Sequence, residues 1–98
     1  MKTIDDFRKS VSAAAPPAGV SPALQALWWV AKDDWDRAHQ VVQKHEDDAD
    51  CNWVHAHLHH QEGDVSNAGG WYRRAGRPVA TCSVKEEWSQ LAAELLAR

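Results

Sequence analysis

Two short breaks, about thirty residues apart, constrain this chain more than any other feature of it. Asp33-Asp34 and Gly63-Asp64 each interrupt a run of apolar residues at helical spacing. A two-residue turn leaves no slack, so the helices on either side must run antiparallel and in contact. Overlaying the chain on itself at a shift of 30 places Ala26 on Ala56, Asp34 on Asp64 and Ala38 on Ala68. The unit 22–45 thus falls on the unit 52–75, and small alanines stand where the backbones must approach.

Helix punctuation extends the pattern in both directions. Thr3 and Asp6 form a capping-box pattern, and Ile4, Phe7 and Val11 follow as one apolar stripe. Pro16-Pro17 ends that first helical segment, so 1–15 is read as an N-terminal helix and 16–20 as a linker. Ser21-Pro22 reads as an N-cap followed by proline at the first helical position, with Leu24, Leu27, Trp28 and Ala31 as the buried face. Asp34 can cap the third helix, and Asp50, after a loop over 46–49, the fourth. Asp64 can cap the fifth, which Gly76 and Pro78 end. Ser83 with Glu86 opens a last helix faced by Trp88, Leu91, Ala92 and Leu95. No segment alternates with period two, so no strand is expected.

A chain of 98 residues supports one compact core, so 1–98 is read as a single domain. Asp and Glu number 14 against 11 Lys and Arg, a balance that gives no general attraction to nucleic acid or anionic lipid. No apolar run is long enough to cross a membrane, and the N-terminus lacks the apolar stretch of a signal peptide. Cys51 and Cys82 lie outside any CxxC pattern and read as reduced thiols, which points to the cytoplasm. There is no G-x-S-x-G, no P-loop and no HExxH, and no cofactor is expected.

The second hairpin carries Gly63 between its helices and Ala68, Tyr72 and Ala75 after it, with Pro78 following. Trp88, Leu91, Ala92 and Leu95 then open the next unit. On these residues the chain resembles tetratricopeptide-type helical repeats over roughly 20–96. It departs from them in its 30- and 36-residue spacing and in placing His55 and His59 where leucine and tyrosine are usual. The resemblance implies an all-α, TPR-like array over 21–98. It would comprise about six helices, two antiparallel hairpins with N-terminal and C-terminal capping helices. The stretches Asp34-Trp35-Asp36-Arg37-Ala38-His39, Trp53-Val54-His55-Ala56 and Trp71-Tyr72-Arg73-Arg74-Ala75-Gly76 also resemble a family of small bacterial proteins of no assigned activity. That likeness implies a bacterial cytosolic protein and brings no chemistry with it.

The function implied by the helical-repeat likeness is protein or peptide binding, or self-association into a homodimer. By analogy with the concave face of such repeats, Leu27, Val30, Trp53, His57, His60 and Gln61 would line the groove. Tryptophan is the usual interface anchor. It is equally the bulk that a core with one Phe and one Tyr needs, and the chain holds six Trp. Trp28 and Trp29 are adjacent, so both cannot face one core. Arg73, Arg74 and Arg77 gather at a helix end, where they complement the dipole or meet an anion or acidic partner.

The histidines are the rival to that reading. His55-Ala56-His57-Leu58-His59-His60 sets four imidazoles in six residues. His55 and His59 share one helix face at i, i+4, a spacing able to chelate a transition metal, and His39 on the preceding helix can reach them. The plainer reading makes His55 and His59 packing residues and His57 and His60 surface ones, so no metal site is expected. If one forms, its ligands are His39, His55 and His59. A small enzyme using His55, His59 and Glu62 for acid–base work is the other alternative, and it requires a concave pocket around them. Burial of both histidines with one partner each would remove both rivals.

Overall fold

A computed structural model describes residues 3–98. It contains six helices and, among the described residues, no strand: α1 Ile4–Ser10, α2 Pro22–Ala31, α3 Trp35–Gln43, α4 Ala49–Gln61, α5 Val65–Ala75 and α6 Val84–Leu96. Helices α2 and α3 form one antiparallel hairpin and α4 and α5 a second, with α4 packed on both α2 and α3.

Local chemistry sets most of the boundaries. The side chains of Thr3, Ser21, Asp34, Asp64 and Ser83 each accept the backbone N–H three residues on. Glu86 completes the last cap by receiving the Ser83 hydroxyl at 3.0 Å. Helix α4 differs from expectation. Its cap is Asp48, not Asp50, because Asp48 turns back to accept the Asp50 N–H at 2.9 Å. Asp50 instead sits in the first turn and pairs with Arg98 at 2.8 Å. Helix α1 is also shorter than the expected 1–15, ending at Ser10.

The two hairpin turns share one backbone solution. Gly63 has φ +78° and Asp33, its counterpart thirty residues earlier, has φ +63°. Both lie in the left-handed region that glycine enters without a Cβ penalty and aspartate tolerates better than most side chains. Glycine elsewhere has no such duty. Gly69 and Gly70 sit inside α5, and a Cβ at either would meet nothing nearer than the Arg73 side chain at 4.0 Å. Replacing both by alanine is expected to stabilise the fold by about 1 kcal/mol each, read as a rise in urea midpoint at constant slope.

The core is built from α2, α4 and α6. Trp28, Leu27, Val54, Leu58 and Leu91 are fully buried, with Phe7 from α1 beside them. Trp28 and Trp29 do part company: Trp28 is buried and donates to Ser10 Oγ at 3.0 Å. Trp29 lies half-buried, edge-on to it and beneath Arg37.

Helix α6 decides the shape of the molecule. It does not extend the array beyond α5 but crosses the face shared by α2 and α4, with α1 closing on its other side. Trp88 donates its indole N–H to the Leu27 carbonyl at 3.0 Å and stacks on Phe7 at 5.9 Å. The connector 76–82 runs over Trp53, where the Arg77 guanidinium lies 4.0 Å above the indole and pairs with Glu94 at 2.9 Å. Much of the face expected to be an open groove is therefore covered by the chain itself, while Val30 and His57 border the cleft left beside α6. Leu27, Trp53 and His57 are buried beneath α6 and the connector; only Val30 and His60 at half exposure and Gln61 reach solvent. A C-terminal helix with a strong apolar stripe covers the nearest apolar face, and that face is this one.

Candidate metal centre

Helix α4 is buried on almost every side: from Cys51 to His59 no residue is exposed. Its four histidines are consequently sorted by direction into two separate groups.

The first group faces α3 and α5. His39 from α3 and His55 and His59 from α4 bring one ligand nitrogen each to within 4.8 Å of one another. The Nε2 atoms of His39 and His55 are 3.1 Å apart. A tetrahedral zinc ion with bonds of about 2.0–2.1 Å holds its nitrogens about 3.3–3.4 Å apart, so this pair stands close to ligand spacing. Each ring is held from behind. Trp71 stacks on His55 with centroids 3.7 Å apart, and Trp35 stacks on His39 at 4.6 Å. Trp35 is itself fixed by its N–H bond to the Leu58 carbonyl at 3.0 Å. His59 Nδ1 lies 2.6 Å from a Glu62 carboxylate oxygen, which turns its Nε2 away from that acid. A carboxylate on the far nitrogen of a ligating imidazole is the usual outer partner of a metal site, because it fixes the tautomer and raises ligand basicity.

The protonation state of His39 and His55 suits metal ligation. Burial, reinforced by the neighbouring His39, His59 and Arg74, pushes His55 down to about 3. Burial and then His59 also lower His39. Both rings are therefore neutral near pH 7, the form that offers a lone pair. Without an ion, the two facing nitrogens must share one proton between them. Either way, His55 Nδ1 is left buried without a partner. Pairing of the buried His55 and His59 does not dispose of the metal reading, since the partner of His55 is the third candidate ligand and Glu62 occupies only the outer nitrogen of His59. The acid–base reading fares differently. Four clefts of the surface are lined by other residues and include none of His55, His59 or Glu62.

The second group faces α6. Glu87, 2% exposed, is a buried carboxylate. One of its oxygens lies 2.7 Å from His57 Nδ1 and 2.9 Å from His60 Nδ1, and the other accepts the Tyr72 hydroxyl. Burial alone would raise this carboxyl, but the donors from His57, His60 and Tyr72 outweigh it and hold it below the usual range. Burial and the adjacent carboxylate push the Tyr72 phenol well above its own. His57, His60 and Glu87 also converge at metal-ligand spacing. Here the acceptor is already saturated by three donors, and His57 is wholly enclosed. This group fastens α6 to α4 and α5.

The remaining candidates disperse. Arg74 reaches Glu46 at 3.3 Å and covers Trp71, Arg77 covers Trp53, and Arg73 makes no ion pair among the described residues. The three arginines do not form one anion site. Both cysteines are free. Burial, with the charge of Asp48 beside it, pushes the Cys51 thiol up to about 12. An alkylating reagent at neutral pH is expected to label Cys82 alone in the folded protein and a second thiol only after denaturation. Rapid labelling of both would contradict the enclosed environment of Cys51.

Glu87 is the residue that sequence reasoning missed. A signal was present: it stands on the apolar stripe of α6 with Val84, Trp88, Leu91 and Leu95, at i, i+3, i+4 spacing. A carboxylate on a buried stripe needs donors, and a histidine-rich helix supplies them.

Compared with known proteins, the chain matches no protein family, no curated sequence and no solved structure. No helix among the described residues is long and apolar enough to cross a membrane.

Proposed function

We propose that this protein binds a transition-metal ion of the zinc class through His39, His55 and His59, with Glu62 supporting His59 from outside. The observation that carries the reading is the convergence of three imidazoles from two hairpins, each held by a separate contact. Three imidazole nitrogens with no thiolate and no carboxylate at the centre suit borderline ions such as Zn²⁺, Ni²⁺ or Cu²⁺ rather than Ca²⁺ or Mg²⁺. Three protein ligands leave a fourth position for water or an exogenous group. The peptide-binding alternative would need its groove opened, because α6 and the connector lie across it.

The test is a zinc titration against a chromophoric chelator on tag-free protein. One equivalent should bind the parent chain. His39→Ala should abolish competition, and Glu62→Gln should weaken it by about 10–100-fold. His59, Glu62 and Asp64 form an overlapping, more exposed trio at the end of α4. Retention of full affinity in His39→Ala, with loss in Asp64→Asn, would move the ion to that trio and overturn the three-histidine assignment.

A further inference from the structure

A cleft of about 620 Å³ opens between α1, α2 and α6, on the side of α4 away from the three-histidine cluster. That volume falls within the range of small-ligand pockets, about 300–1,000 Å³. Its walls are apolar, formed by Val11, Val30, Val84 and Trp88. Two cations, Arg8 and Lys85, also line it, and no carboxylate does. Neither cation has an acidic partner among the described residues, although the chain as a whole is acidic. Arg8 is nonetheless held in place. It donates to Ser89 Oγ at 2.8 Å and lies 5.2 Å above the Trp88 ring, which leaves further N–H groups unused. The His57 ring closes the floor. Its Nδ1 is spent on Glu87, while its Nε2 is buried and meets no group of the protein.

We propose that this cleft binds a small apolar carboxylate, its chain among Val11, Val30, Val84 and Trp88 and its carboxylate on Arg8 and Lys85. Charge complementarity selects the head group. Arg offers a carboxylate a paired set of donors, and Lys a second positive charge. The apolar walls select the body. The assignment uses none of His39, His55, His59 and Glu62, and it stands or falls apart from the zinc proposal.

The probe is decanoate, kept below its micellar concentration and titrated into chelator-treated protein, with decanol as the neutral match. Amide and methyl shifts in a two-dimensional NMR spectrum provide the readout. Saturable one-to-one shifts centred on Val30, Val84 and Trp88 are expected, with decanoate binding at least tenfold tighter than decanol. Lys85→Gln and Arg8→Gln should each erode that preference, Lys85→Gln without touching the Trp88 packing. Val30→Trp should fill the cleft and abolish both ligands. Equal affinity for the acid and the alcohol would overturn the carboxylate assignment. Shifts that map elsewhere, or that follow protein concentration without ligand because a second copy covers this face, would overturn the site itself.

Discussion

Zinc at a hundred times its dissociation constant is expected to raise the melting temperature by roughly 10–20 °C. An ion that binds only the folded state adds about 2.7 kcal/mol at that concentration. For a domain of this length each kilocalorie moves the midpoint by about 4–8 °C. The effect is large because of where the ligands sit. His39 belongs to the first hairpin and His55 and His59 to the second, so the ion would staple α3 to α4 across the boundary between them. In the unfolded chain His55 and His59 remain near neighbours in sequence, and their residual affinity trims the gain. The control follows from the geometry. His39→Ala removes a half-buried ring that stacks on Trp35, so its own cost without metal is expected to be modest, about 1 kcal/mol. The variant should lose nearly all of the metal-dependent shift. Scanning calorimetry with and without zinc, on both proteins, checks this. An equal rise in the parent and in His39→Ala would show that the metal acts elsewhere.

Glu87→Leu is expected to cost about 3–5 kcal/mol, because it strips the acceptor from two buried donors at about 1–3 kcal/mol each. The leucine fits a stripe that is otherwise apolar, so lost packing is not the cause. The loss comes from the partners. His57 and Tyr72 are buried at full or nearly full depth, and without the carboxylate their N–H and O–H groups have no acceptor. Against a total stability of about 5–15 kcal/mol for a small domain, that loss brings the chain close to unfolding at room temperature. Glu87→Gln keeps one acceptor oxygen and should lose less. The pH dependence has a definite sign. The folded carboxyl lies below its unfolded value, so its stabilisation is present in full above the ordinary carboxylate range and disappears as pH falls through the folded value. In Glu87→Leu that part of the acid limb should be absent. Urea melts of both chains at neutral and acid pH provide the comparison. A loss below about 1 kcal/mol at neutral pH would mean that α6 is held by its apolar stripe alone.

These two sites were legible in the sequence to different degrees, for physical reasons. Caps are local, and Thr3, Ser21, Asp34, Asp64 and Ser83 could be placed because each needs only the next three residues. Asp47, Asp48 and Asp50 compete for one cap, and only the backbone angles at Asp48 decide among them. The all-α hairpins followed from turn length. The position of α6 did not, because an apolar stripe says that a face is buried but not against what. From that one placement come the occupied groove, the burial of Leu27, Trp53 and His57, and the environment of Glu87. Helical spacing set His55 and His59 on one face and brought His39 within reach. The indoles of Trp35 and Trp71 that hold the rings are contacts between helices, which spacing alone cannot reveal.

Cobalt substitution reads out whether three imidazoles converge on one ion. Co²⁺ bound by His39, His55 and His59 with one open position would be four-coordinate and distorted. Strong visible absorption is expected that saturates at one equivalent, is bleached by zinc and is absent in His39→Ala. A weak spectrum of six-coordinate cobalt, or one unchanged by His39→Ala, would contradict the three-histidine assignment.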